Sequence, residues 1–111
     1  MDVARLGSDH YFLFWCPGCD CAHGIPVDGS RGWQWNGSLS SPTITPSILV
    51  SSTDVIVDGQ RIMGHHYRGP YPEDLERAKG VCHSFITDGK IIFLSDCTHP
   101  LSGCTVALEA W

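Results

Sequence analysis

The sequence predicts a mainly β domain: a small antiparallel sheet with one short helix, stapled by a metal ion between an N-terminal knuckle and a C-terminal hairpin. Three observations predict it. Twelve Gly and seven Pro in 111 residues mark many turns and short segments. Asp58-Gly59 and Asp88-Gly89 each lie between β-branched, apolar runs, the pattern of a two-residue hairpin turn. Six Cys and six His supply a staple that a domain of this size often needs.

The elements follow in order. Residues 10–15 read as a strand that ends on Cys16. Cys16-Pro17-Gly18-Cys19-Asp20-Cys21-Ala22-His23-Gly24 is a tight, turn-rich segment, and 25–27 a short returning strand. Trp33-Gln34-Trp35 alternates before the turn pair Asn36-Gly37. Pro42 and Pro46 flank an extended piece that runs into Ser47-Ile48-Leu49-Val50. Asp54–Val57 and Gln60–Met63 form one hairpin, and 64–71 an exposed loop. Pro72-Glu73-Asp74-Leu75-Glu76-Arg77-Ala78-Lys79 is the helix candidate, with Pro near its start, acids first, bases last and Gly80 as a stop. Residues 81–86 and 90–95 make a second hairpin, which pairs Thr87 with Lys90, and 105–108 a last strand carrying Cys104 as a neighbouring core residue.

Length and the absence of linkers predict one domain over 1–111. The net charge of −5, with only seven Lys and Arg, lacks the basic footprint of a nucleic-acid binder. No apolar stretch approaches the roughly 18–20 residues of a membrane span. The first residues carry no secretory pattern. The expected location is the cytoplasm, where clustered cysteines read as metal ligands or catalytic thiols rather than disulfides.

Cys16-x-x-Cys19 offers two thiolates that can bind one ion without strain, half of a tetrahedral zinc site. The other half is expected from Cys82-His83 and Cys97-Thr98-His99. With Thr87 opposite Lys90, the period of two puts Cys82, Ser95 and Cys97 on one face of the hairpin and His83 and Asp96 on the other. Cys16, Cys19, Cys82 and Cys97 are therefore the expected Zn2+ ligands, with His99 as the leading substitute. The competing readings are a redox pair or buried cysteines. His23 ligates, lines an open site, or is a solvated loop residue. His65 and His66 read as solvated loop residues, and Trp33, Trp35 and Trp111 as packing groups or a ligand platform. Asp96 would fix the tautomer of His83 and raise its basicity, which serves a zinc-ligating His or a general base.

The series Cys16-Pro17-Gly18-Cys19-x-x-x-His23, Trp33-x-Trp35-Asn36-Gly37-Ser38 with Pro42-Thr43 and Pro46-Ser47, Cys82-His83-Ser84-Phe85, and Asp88-Gly89-x-Ile91-x-Phe93-Leu94-x-Asp96-Cys97-x-His99 resembles a family of phage, prophage and bacterial proteins often mislabelled "ammonia monooxygenase". The match runs from about Phe14 to Trp111. The resemblance implies a phage or prophage source and a metal-binding domain. Some relatives are associated with bacterial ubiquitin-like systems and suspected of peptidase activity. On matching positions it points to Cys16, Cys19, His23, Cys82, His83, Ser84, Asp96, Cys97 and His99.

Three functions follow as expectations. The first is a protein-interaction module on a closed zinc site, with a host or phage protein as partner. The second is a zinc-dependent hydrolase, peptidase-like, with His83, Asp96, His23 and His99 around an open ion. The third is a cysteine-dependent enzyme using Cys82 or Cys97.

Overall fold

The computed structural model describes residues 1–111 and is mainly β, with nine strands in two antiparallel sheets. Strands β1 (Ala4–Leu6), β2 (Tyr11–Cys16) and β3 (Cys21–Pro26) form a three-stranded sheet in that order. Strands β4 (Gln34–Trp35), β5 (Ile44–Val57), β6 (Gln60–Met63), β7 (Glu76–Thr87), β8 (Lys90–Phe93) and β9 (Thr105–Ala107) form the second. Its order is β4-β5-β7-β8-β9, with β6 also paired to β5. β4 and β6 share one edge of β5, at its two ends, while β7 runs along the other.

Both expected hairpins form. Asp58 and Gly59, like Asp88 and Gly89, all have positive φ, the backbone that a tight turn between twisted strands requires. Thr87 pairs with Lys90, and Phe85 with Ile92.

The two sheets bury one core between them. In β2, Phe12, Phe14 and Cys16 point inward; in β7, Cys82, Ser84 and Ile86; in β8, Ile91 and Phe93. Ile44 and Ile48 of β5 complete the layer. This is the period-two alternation of strands covered on one face. Each fully buried Phe contributes roughly 2–3 kcal/mol by removal from water.

The expected helix over 72–79 is absent. Pro72–Leu75 is a turn, closed by the Leu75 N–H on the Pro72 carbonyl at 3.1 Å, and Glu76 already opens β7. A two-turn helix is marginal on local propensity alone. Extension gives Glu76–Lys79 four rungs against Thr53–Ile56 of β5, and tertiary pairing overrides the capping pattern. Gly80, read as a stop, sits inside the strand opposite Ser52.

One irregularity positions the site. Ile44 pairs with Ile86 and Ile48 with Ser84, so Thr45, Pro46 and Ser47 occupy the space opposite Phe85 alone. Pro46 has no N–H to give the ladder and is tolerated in a strand at such a bulge. Ser47 is thereby lifted out of regular pairing.

Candidate active site and metal centre

Strand β7 carries two chemistries on alternate residues. Cys82 and Ser84 face the core, whereas His83 faces outward, opposite the exposed Leu49. Beyond the end of β8 the chain keeps following β7. The Leu94 N–H donates to the His83 carbonyl at 2.9 Å, and the Thr98 N–H to the Val81 carbonyl at 2.9 Å. The Val81 N–H in turn donates to Thr98 Oγ1 at 2.9 Å. Cys97 Sγ accepts the His83 N–H at 3.2 Å and donates to the His83 carbonyl at 3.2 Å. These bonds deliver Asp96 to the outer face beside His83.

There His83 lies between two oxygens. Its Nδ1 is 3.0 Å from Asp96 Oδ2 and its Nε2 is 3.0 Å from Ser47 Oγ. An ionised carboxylate only accepts, so Nδ1 carries the proton and donates to Asp96. Nε2 is then left as the acceptor for the Ser47 hydroxyl. The His83 side chain is 25% exposed and that of Asp96 56%, so the line opens to solvent. Ser84, next to His83 in sequence, is 1% exposed and faces the core. The hydroxyl that meets the imidazole belongs to Ser47, in the β5 bulge.

On the inner face, β2 and β7 bring together donors far apart in sequence. The donor atoms of Cys16, Cys19, His23 and Cys82 all lie within 4.8 Å of one another, as do those of Cys82, Cys97 and His99. Cys16 and Cys82 Sγ are 3.7 Å apart. A tetrahedron with sulfur arms of about 2.3 Å has edges of roughly 3.8 Å, so this spacing suits a zinc-sized ion. The Cys19 N–H points at Cys16 Sγ at 3.4 Å, which stabilises negative charge on that sulfur. The Nε2 atoms of His23 and His99 are buried without a hydrogen-bond partner. A buried imidazole nitrogen rarely stays unpaired, and a bound cation would satisfy that of His23.

The three thiols compete for negative charge. Hydrogen bonds from the Cys19 and Cys82 thiols hold Cys16 far below the usual thiol range. The bond to Cys16 pushes Cys19 up to about 12, and bonds to Cys16 and Cys19 raise Cys82 further. Adjacent thiolates repel one another, and a cation between them would relieve that repulsion. The donor set can hold a metal ion.

Residues around the centre fix its shape. His99 Nδ1 accepts the Leu101 N–H at 3.2 Å, and its ring stands edge-on to Phe93, with centroids 4.4 Å apart. Burial lowers the His99 pKa, and with Nδ1 accepting, the neutral ring carries its proton on Nε2. His65, read as a solvated loop residue, hydrogen-bonds the Cys19 carbonyl at 2.8 Å, and His66 Nε2 lies 3.6 Å from Asp20. Cys21 is half-buried outside both groups, and Cys104, expected in the core, is exposed.

A Cβ on Gly18 would lie 2.3 Å from the His99 ring. Gly18→Ala should therefore expel that buried ring and destabilise the domain by about 1–3 kcal/mol, measured by urea denaturation. A variant as stable as the wild type would show that His99 is not held there.

Of the residues singled out in the sequence, the structure thus joins His83 to Asp96. It places His23 with Cys16, Cys19 and Cys82, and groups Cys97 and His99 with Cys82 as well. Ser47 was missed. Its one local signal is a hydroxyl directly after Pro46; nothing local ties it to a histidine 36 positions away.

The small two-sheet domain thus carries a Ser–His–Asp line on one face and, behind it, a thiol–imidazole cluster that could hold a metal ion. The chain belongs to the family described as bacterial ubiquitination-like system serine protease (BubE), whose model matches residues 2–94. Ser47 and His83 lie within the match, and Asp96 falls two residues beyond it. No curated protein and no solved structure matches the chain.

Proposed function

We propose that this protein is a serine hydrolase in which Ser47 is the nucleophile, His83 the general acid–base and Asp96 the group that orients His83. The observation that carries the reading is the line Asp96–His83–Ser47, with both contacts at 3.0 Å. Geometry of this kind, rather than sequence position, identifies a triad.

Ser47 Oγ attacks the substrate carbonyl carbon as its proton passes to His83 Nε2. Asp96 stabilises the imidazolium so formed. The tetrahedral intermediate collapses, the bond to the leaving amine or alkoxide breaks, and the leaving group takes the proton from Nε2. Water then repeats the sequence on the acyl-serine, yielding the acid and restoring Ser47. Given the family's description, the scissile bond is one made or carried by a ubiquitin-like modifier, and the partner is that protein substrate. The phage or prophage source implied by the motif resemblance would make the substrate a host or phage protein.

Cys16, Cys19, His23 and Cys82 would hold Zn2+, with Cys97 and His99 flanking Cys82. Four protein ligands would leave no position for an activated water, so the ion's part would be structural, neutralising the thiolates and tying the β2–β3 turn to β7. His83 and Asp96 then serve Ser47 rather than the metal. A thiolate centre of this kind suits a reducing compartment such as the cytoplasm.

The test is covalent labelling with a fluorophosphonate, in which Ser47 Oγ bonds to phosphorus and fluoride leaves. The expected adduct is on Ser47, located by peptide mass spectrometry, and is lost on His83→Ala. Labelling elsewhere, or none, would sink the triad.

A further inference from the structure

We infer that Trp33 is a positioning residue for the nucleophile: its indole N–H holds the Ser47 carbonyl, and so the serine backbone, where Oγ meets His83. The inference rests on Ser47 being the nucleophile. Trp33 Nε1 donates to the Ser47 carbonyl oxygen at 3.2 Å.

The need for such a bond comes from the bulge. Ladder pairing fixes Ile44 against Ile86 and Ile48 against Ser84, but Ser47 lies between these rungs. Its carbonyl would otherwise turn to water, and rotation about the Ser47 backbone would carry Oγ away from Nε2. A nucleophile displaced by about 1 Å can lose on the order of 100-fold in rate, so a bond that limits this rotation acts on the chemical step.

The segment around Trp33 is built to hold that donor still. Trp33 is half-buried against the core, and β4 begins directly after it, pairing Gln34 with Thr45 and Trp35 with Ile44. The loop beyond is stitched by the Asn36 N–H on the Thr43 carbonyl at 3.2 Å and by Asn36 Nδ2 on the Ser41 carbonyl at 3.1 Å. The two indoles of the Trp-x-Trp pair divide their work. Trp35 Nε1 donates at 2.9 Å to the Ser38 carbonyl within its own loop, and its ring packs on Phe12. Only Trp33 reaches the serine. Trp33 is thus the brace for the strand that presents the hydroxyl.

The experiment compares full-length wild type, Trp33→Phe and Trp35→Phe, each checked for its melting temperature. The readouts are the rate of fluorophosphonate labelling at Ser47 and the hydrolysis of p-nitrophenyl acetate. Trp33→Phe keeps an aromatic ring and removes the donor. It is expected to label about 10-fold more slowly and to lower kcat about 10-fold with KM little changed. Trp35→Phe is expected to lower the melting temperature while labelling at the wild-type rate. If Trp33→Phe fails to fold, benzothienylalanine at position 33 removes the N–H at nearly constant shape and carries the same expectation. Labelling of the folded Trp33 variant at the wild-type rate overturns the role of Trp33 and leaves the triad standing. Wild type that does not label at Ser47 overturns both.

Discussion

Ser47→Ala is expected to keep the fold and any bound metal while losing turnover by a factor on the order of 10^3–10^6, the range seen when a triad nucleophile is removed. The change should fall on kcat. Ser47 is a half-buried bulge residue outside the core cluster, and its hydroxyl has one side-chain contact, to His83 Nε2. Deleting it should move the melting temperature by only a few degrees. The measurement is steady-state hydrolysis of a chromogenic ester beside thermal unfolding of the same sample. A variant that retains more than a tenth of wild-type kcat would mean that another group is the nucleophile. Ser84→Ala is the instructive control, because Ser84 neighbours His83 in sequence but faces the core at 1% exposure. Its loss should register in stability and leave labelling of Ser47 in place.

The second large effect is expected from metal removal. If Cys16, Cys19, His23 and Cys82 hold zinc, the ion joins residues 66 positions apart. Its binding free energy is then folding free energy. An ion at about 1,000 times its Kd stabilises the folded state by about 4 kcal/mol. At roughly 4 °C per kcal/mol for a domain of this size, stripping it should lower the melting temperature by about 15 °C. Excess chelator followed by zinc, read by calorimetry and elemental analysis, tests this. A melting temperature indifferent to chelator would return the thiols to the core as ordinary buried groups. Cys82→Ala should reproduce the loss without chelator, and Cys104→Ala, at an exposed position outside both donor groups, should not.

Much of the fold was legible because its signals are local. Asp58-Gly59 and Asp88-Gly89 announce turns whose positive φ they supply, and alternation around each locates the strands. The helix expected over 72–79 shows where local reading ends. Its caps are sound for an isolated peptide, but β5 offers a partner strand that no window of eight residues can see. The site divides along the same line. Cys16 and Cys19 share one turn, and the hairpin register carries His83 to Asp96 with Cys82 on the opposite face, so these groupings follow from spacing. Ser47 does not. Its meeting with His83 depends on a bulge that shifts β5 against β7, and a shifted register leaves no periodic trace. His23 was visible as a candidate, yet its company among the thiols depends on how β3 folds back on β2, where Phe14 pairs with His23.

The alternation along β7 has a consequence for the history of this chain. Cys82 and His83 are consecutive, and the pleat sends one to the cysteine cluster and the other to the serine side. Any insertion or deletion of an odd number of residues within the strand would invert that parity, presenting a thiol to the substrate and an imidazole to the core. Length variation among relatives should therefore collect at Asp88-Gly89 and in the 64–75 connection, where parity carries no meaning. The interior of β7 should vary by substitution alone.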